Sequence, residues 1–195
     1  HQYPGGPGTA GPRLPSNCSG GNGAGPPLDL SRFNITTNAG QALDGDEVTI
    51  FYQDGIGLYP QFASGANGSL VPVHGGVPQQ ANLTAHTAAV MRQLNGALSP
   101  GFAGIGVIDY EGWHPSWEYM TDPSHAPFVA LSKELVSREY PTWAPAQVEK
   151  EARRQWESAA RRFMTATLAA AHAARPRGRF GFFSYPTCYD ALYDW

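Results

Sequence analysis

Gly104-Ile105-Gly106-Val107-Ile108-Asp109-Tyr110-Glu111-Gly112-Trp113-His114-Pro115-Ser116-Trp117 holds the reading of the fold. Its first five residues are a short apolar run, rich in β-branched side chains and bounded by glycine, which predicts a buried strand. Asp109 and Glu111 follow at the strand's exit. Side chains two apart on extended backbone leave the same face, with Cα atoms about 7 Å apart. That spacing lets two acids share one substrate atom while one stays charged and the other protonated. For an arbitrary Asp-x-Glu a solvated acidic turn is the better reading. Here the strand before the pair and the Trp113-x-Pro115-x-Trp117 after it, aromatic residues suited to stacking on a sugar ring, favour a site.

On the N-terminal side, Val48-Thr49-Ile50-Phe51-Tyr52 is a second strand, β-branched and aromatic throughout. It runs into a glycine-containing loop ending in Tyr59-Pro60. Residues 61–82 carry repeated glycine and proline and predict a long irregular excursion. From Leu83 to Leu98, apolar residues at 83, 90, 94 and 98 with alanines between predict a helix that ends at Ser99-Pro100-Gly101. Residues 127–139 predict another, with Phe128, Leu131, Leu135 and Val136 on one face. A third begins at Pro145 and carries Val148, Ala152, Trp156, Ala159, Phe163 and Leu168 at helical spacing. Its Trp156 and Phe163 read as core. Arg175-Pro176-Arg177-Gly178 stops it, with cations at the negative end of the dipole. Arg179-Phe180-Gly181-Phe182-Phe183-Ser184 is the last strand.

Strands separated by helices of this length imply an α/β fold with parallel pairing. Chemistry in such folds lies beyond the C-terminal strand ends. Asp109 and Glu111, Tyr59 and the Phe183–Tyr185 segment all fall there, so separate segments converge on one rim.

The bulk properties bound the function. A chain of 195 residues, 42% hydrophobic and 15% charged, describes one globular domain preceded by an arm: residues 1–44 as a Gly/Pro-rich N-terminal arm and 45–195 as the domain. A net charge of −3 offers no basic field for nucleic acid, although local patches leave an anionic polymer open as ligand. No apolar run approaches the roughly 18 residues of a membrane span. The chain starts at His1 without an initiator Met, as expected if a leader has been removed or the segment starts inside a longer product. Asn17-Cys18-Ser19, Asn34-Ile35-Thr36, Asn67-Gly68-Ser69 and Asn82-Leu83-Thr84 are glycosylation sequons, whose density predicts the secretory route. The cysteines, Cys18 and Cys188, are candidates for a disulfide with each other or with cysteines elsewhere. The histidines at 1, 74, 86, 125 and 172 show no metal-ligand spacing.

Several segments together resemble the hyaluronidases of the family that includes mammalian sperm, lysosomal and bee-venom enzymes. They are Thr49-Ile50-Phe51-Tyr52 with Gly57-Leu58-Tyr59-Pro60, His74-Gly75-Gly76-Val77-Pro78-Gln79, and Val107-Ile108-Asp109-Tyr110-Glu111-Gly112-Trp113. Arg161-Arg162-Phe163-Met164, Arg175-Pro176-Arg177 and Pro186-Thr187-Cys188-Tyr189 continue the match in the family's order over roughly residues 45–195.

The resemblance implies a distorted (β/α) TIM-like barrel, incomplete in this chain because the family's barrel continues well past it. It implies endo-hydrolysis of β-1,4 N-acetylhexosaminide bonds in hyaluronan, with some action on chondroitin or its sulfate, by a secreted or lysosomal glycoprotein. It implies no metal and no other cofactor. The mechanism is retaining and substrate-assisted, an exception to the two-carboxylate scheme. Glu111 takes the role of the proton donor, and beside an ionised Asp109 it should hold its proton to higher pH than a free Glu. Asp109 would orient the substrate's acetamido group. Tyr59 matches a groove tyrosine, and Trp113, His114, Phe183 and Tyr185 are the further substrate-binding candidates.

Two departures leave an alternative open. The family usually carries Arg where this chain has His114, and a tyrosine where it has Phe183, unless Tyr185 substitutes. A surface histidine and a core aromatic are the plain readings of these positions. The alternative function is a catalytically impaired hyaluronidase-like protein that binds glycosaminoglycan or a protein partner. An incomplete barrel also predicts association with another chain.

Overall fold

Strand Val48–Tyr52 forms where the β-branched run predicts it, and the rest of the fold is laid against it. The structure, a computed structural model, describes residues 29–30 and 33–185. The elements are β1 (Val48–Tyr52), β2 (Gln61–Ser64), β3 (Leu70–Val73), α1 (Leu83–Ala97), β4 (Ile105–Asp109), α2 (Ala126–Glu139), α3 (Pro145–Ala174) and β5 (Arg179–Phe182). The main sheet runs β1-β4-β5, parallel at both junctions. Its register pairs Tyr52 with Asp109 and Ile108 with Phe182, and the Phe183 N–H extends the ladder by bonding the Ile108 carbonyl at 2.8 Å. All three strands therefore end at one rim.

The excursion expected over residues 61–82 contains an antiparallel hairpin instead. β2 and β3 pair from Gln61↔Val73 to Ser64↔Leu70. The tip takes left-handed backbone at Asn67 (φ 59°) and Gly68 (φ 74°), the Asn-Gly pair that suits a tight reversal. Pro72 is tolerated because a two-stranded ribbon leaves half its backbone groups unpaired. The sequon residues Asn34, Asn67 and Asn82 are exposed, while Asn17 lies outside the described residues, as do both cysteines.

Each helix begins where local chemistry allows. The Asn82 side chain accepts the Ala85 N–H at 3.0 Å and caps α1. Pro145 opens α3, and Gln147 Oε1 reaches back to the Ala144 N–H at 3.0 Å. At the other end the structure adds to the reading of Arg175. It stands at the C-terminal end of α3 as expected, with Nη1 on the Ala174 carbonyl, but it is 5% exposed and also crosses to α1, where Nε donates to the Ser99 carbonyl at 2.7 Å and Nη2 to Leu98. It thus satisfies carbonyls that the end of α1 leaves without partners.

The core lies between the sheet and the helices. Trp156 and Phe163 of α3 are fully buried, as their spacing predicts. Trp156 meets Trp113, Trp117 and Phe128 edge-on at 5.6, 5.8 and 6.3 Å. Truncating such a side chain to Ala typically costs about 3–5 kcal/mol. Part of the segment read as an arm is also anchored. Asn38 is buried, accepts the Glu47 and Val48 N–H groups on Oδ1, and donates to the Ala42 and Val48 carbonyls through Nδ2.

Candidate active site

Alternation along extended backbone decides where the residues after β4 face. Asp109 and Glu111 reach the rim, while Tyr110 between them is buried and donates its hydroxyl to the Ile56 carbonyl at 2.8 Å. The two acids line a cleft of about 650 Å³ with Tyr52, Gln53, Asp54, Gly112 and Phe183. Their surroundings differ. Glu111 is exposed, whereas Asp109 is half-buried, and its Oδ1 is buried with no hydrogen-bond donor among the described residues. Burial, reinforced by the Glu111 charge, holds the Asp109 carboxyl above the usual aspartate range.

Aromatic residues expected at the substrate surface lie mostly beneath it. Tyr59 is 1% exposed, stacked on Trp113 with centroids 5.2 Å apart, and its hydroxyl accepts the Trp113 backbone N–H at 3.0 Å. The Trp113 indole N–H is used on the Pro60 carbonyl at 2.9 Å, and Trp117 is 8% exposed with its indole N–H on Glu149. These rings hold the turn after β4, and their faces are packed in the core. Trp113 also lines a second, smaller cavity of about 160 Å³, beside Glu111, His114, Phe183 and Tyr185.

His114 is half-buried. Its backbone N–H meets Met120 Sδ, its carbonyl accepts the Trp156 indole N–H at 2.9 Å, and its Nδ1 lies 3.4 Å from the Tyr185 hydroxyl. Its ring stands 5.5 Å from His125. Burial first, and the His125 charge second, lower its pKa below the ordinary histidine value. Phe183 is 51% exposed on the cleft wall rather than in the core.

The open aromatic faces of the cleft are therefore Phe183 and Tyr52, the latter 64% exposed and not singled out from the sequence. Gln53 and Asp54 were also missed. Gln53 Nε2 donates to Gln61 Oε1, and Gln61 Nε2 donates to Asp54 Oδ1 at 2.9 Å, so β2 fixes both lining residues. What places Tyr52 in the cleft is register, since it ends β1 directly opposite Asp109, and no local sequence pattern signals that pairing. Among the described residues no three His, Cys, Asp or Glu side chains converge on a metal site, and no helix is long and apolar enough to cross a membrane.

A hyaluronidase family model matches residues 16–194, nearly the whole chain. The chain belongs to the hyaluronidase family. It is 38% identical to Hyaluronidase-1 of Homo sapiens over 164 residues, covering 84% of this chain and 37% of that protein. Its identity to Hyaluronidase-2 of Homo sapiens is 36% over 172 residues, covering 87% and 35%. Among solved structures, bee venom hyaluronidase in complex with a hyaluronic acid tetramer superposes with a TM-score of 0.74 at 36% identity, covering 83% of this chain and 49% of that one. This hyaluronidase-family chain thus spans about a third of the length of the curated relatives it matches, and about half of the bee venom structure.

Proposed function

We propose that this hyaluronidase-family chain carries the acid pair of an endo-β-N-acetylhexosaminidase that cleaves β-1,4 bonds of hyaluronan, and of chondroitin, with retention. The acetamido oxygen of the substrate attacks its own anomeric carbon, and the bond to the leaving oxygen breaks. Glu111 gives that oxygen its proton. In the second half Glu111 takes a proton from water, which opens the cyclic intermediate and regenerates the acetamido group. Asp109, ionised, accepts the acetamido N–H and balances the positive charge that develops on the ring.

One observation carries this reading: in a single cleft, an exposed Glu111 stands two residues from a half-buried Asp109 whose Oδ1 is buried with no donor among the described residues. A buried carboxylate oxygen is stabilised by a donor, and an amide N–H from the substrate would be one. Tyr52 and Phe183 would flank the sugar with apolar surface. The likeness to bee venom hyaluronidase supports taking β1, β4 and β5 as an arc of a distorted β/α barrel, with residues 45–195 as part of it. The exposed sequons Asn34, Asn67 and Asn82 support a secreted or lysosomal glycoprotein.

Phe183 favours a second reading, that of a chain that binds glycosaminoglycan without cleaving it. It sets an apolar ring on the cleft wall where the family carries a hydroxyl. The test is depolymerisation of hyaluronan by the purified protein and by Glu111→Gln, with binding followed in parallel. Hydrolysis that disappears in Glu111→Gln supports the hydrolase. Hydrolysis unchanged in Glu111→Gln overturns it, and binding without hydrolysis by the unmutated protein selects the second reading.

A further inference from the structure

One buried titratable group has no part in the acid cleft. His86 of α1 is fully buried, and its ring joins segments far apart in sequence. Nδ1 accepts the Leu58 backbone N–H at 2.9 Å, and Nε2 lies 2.8 Å from Thr167 Oγ1 of α3. Thr167 commits its own proton to the Phe163 carbonyl at 2.8 Å, so it accepts from His86. That network assigns the neutral tautomer with hydrogen on Nε2.

The loop that His86 holds has little room to move. Gly57 has φ +70°, and a Cβ there would lie 2.3 Å from the His86 ring. The Gly57 N–H donates to Gln93 Oε1 at 2.6 Å, and the Ile56 carbonyl takes the Tyr110 hydroxyl. Next comes Tyr59, whose hydroxyl holds the Trp113 N–H. On the other side Gly112 packs its backbone against the Tyr59 ring, where a Cβ would meet Cε1 at 3.1 Å. A continuous path therefore runs from His86 through Leu58 and Tyr59 to the turn that carries Asp109 and Glu111.

We propose that neutral His86 is a positioning residue for the acid pair, holding the Ile56–Tyr59 loop against which the Asp109–Trp113 turn is set, and that its protonation releases that turn. The inference rests on reading Asp109 and Glu111 as the reacting acids. A proton on Nδ1 would set two donors, N–H and N–H, face to face across 2.9 Å, so the bond to Leu58 cannot survive it. Burial, with the His74 charge acting in the same direction, lowers the pKa of the ring to about 4. The groups facing it are Thr167 and the Phe163 ring from α3, Leu58 and Gly57 from the loop, the Tyr110 phenol beside Gly57, and His74 from the connection after β3. No carboxylate is among them, so nothing there repays the burial of an imidazolium.

The test has one arm without catalysis and one with it. In an Asp109→Asn, Glu111→Gln background, where neither acid can titrate, the His86 ring and the Leu58 and Trp113 backbone amides are followed by NMR as pH falls. The expected result is a shared midpoint near 4, absent at both amides in His86→Asn, whose Oδ1 still accepts from Leu58 but gains no proton. A Trp113 amide that ignores the His86 titration overturns the proposal. In the active protein, His86→Leu should lose at least tenfold in kcat with KM within threefold, and His86→Asn should keep activity to lower pH than the unmutated protein. Should position 86 tolerate neither change, Thr167→Val should lower kcat and Thr167→Ser restore it; equal activity in those two overturns the proposal. If the amides report the titration but no form cleaves hyaluronan, the clamp stands and the hydrolase reading falls.

Discussion

The Tyr59 hydroxyl accepts the backbone N–H of Trp113 at 3.0 Å while its ring stacks on the indole, the two planes within 5° of parallel. A tyrosine matched by motif to a substrate groove is therefore a buried brace, joining the loop after β1 to the turn after β4. Burial first, and repulsion between its phenolate and those of Tyr185 and Tyr110, hold its pKa well above the ordinary tyrosine value, so it remains a neutral hydroxyl.

Tyr59→Phe follows directly. The ring still stacks, but the Trp113 N–H is left buried without an acceptor, which costs about 1–3 kcal/mol. Chemical denaturation should show that loss, with turnover of hyaluronan falling because Glu111 sits two residues before Trp113. Unchanged stability would mean that water satisfies the N–H and that the brace carries no strain.

Asp109 is expected to trade stability for function. Its pKa is raised by burial and by Glu111, so the folded state disfavours the carboxylate. For a raised group, the stabilising contribution is present below the unfolded pKa and lost as pH rises through the folded one. Asp109→Asn should therefore raise the melting temperature at neutral pH, by on the order of a degree or more, and not in acid. The same variant should lose several orders of magnitude in hydrolysis by removing the charge opposite the developing cation. Melting curves at neutral and acid pH, beside an activity assay, check both halves.

The strands and helices were legible because each carries its own pattern. Val48–Tyr52 is β-branched or aromatic at every position, and the thirty residues of α3 repeat an apolar stripe from Val148 to Ala171. The hairpin was not legible, since glycine and proline over 61–82 signal breaks and the pairing of Phe62 with Pro72 is a relation across the turn. The acid pair was visible as a local motif, but the burial of the aromatic residues around it was not. Trp113 and Trp117 look like groove residues in isolation and become core through partners distant in sequence, Tyr59 stacked on Trp113 and Trp156, about forty positions later, packed against both. Tyr52 was overlooked for the converse reason. Its exposure comes from ending a strand whose register with Asp109 no local pattern encodes.

Arg175 offers a test of the scaffold alone. Its guanidinium is buried and spends its donors on the Ser99 and Leu98 carbonyls and on Asn95 Oδ1. Arg175→Met keeps the length but leaves several acceptors at the end of α1 without donors, so a loss of about 3 kcal/mol or more is expected. Arg175→Lys should recover only part of it, because a single ammonium cannot span the same fork of acceptors. Equal denaturation midpoints for the three forms would show that the α1 carbonyls are satisfied some other way.

Phe183→Tyr tests what the cleft wall lacks. The ring is exposed at the cleft, so an added hydroxyl costs little in stability and can reach a reacting group beside Asp109. The expected outcome is a rise in kcat of about tenfold or more, short of the roughly hundredfold or greater effect of an ideally placed donor. A kcat no higher than that of the unmutated protein would show that Tyr185, or no hydroxyl at all, serves there.

His114 should make binding of an anionic sugar depend on pH, with the dependence displaced toward acid. Only the imidazolium attracts a glucuronate carboxylate, and burial together with the His125 charge holds the His114 pKa below its ordinary value. Lowering runs against the charged form, so affinity for a hyaluronan oligomer should stay flat through neutral pH. It should rise only once pH drops below the usual histidine range. The gain at full protonation should be about tenfold, the worth of roughly 1.4 kcal/mol from one partly buried ion pair. His114→Arg should bind more tightly at neutral pH and remove the rise, since guanidinium stays charged throughout. His125→Ala separates the two causes: it relieves the repulsion but leaves most of the burial, so the rise should begin at a higher pH without changing in size. Isothermal titration of one oligomer against all three proteins between neutral and acid pH reads these differences directly. The same pH profile in the unmutated protein and in His114→Arg would mean that the imidazole does not meet the glucuronate.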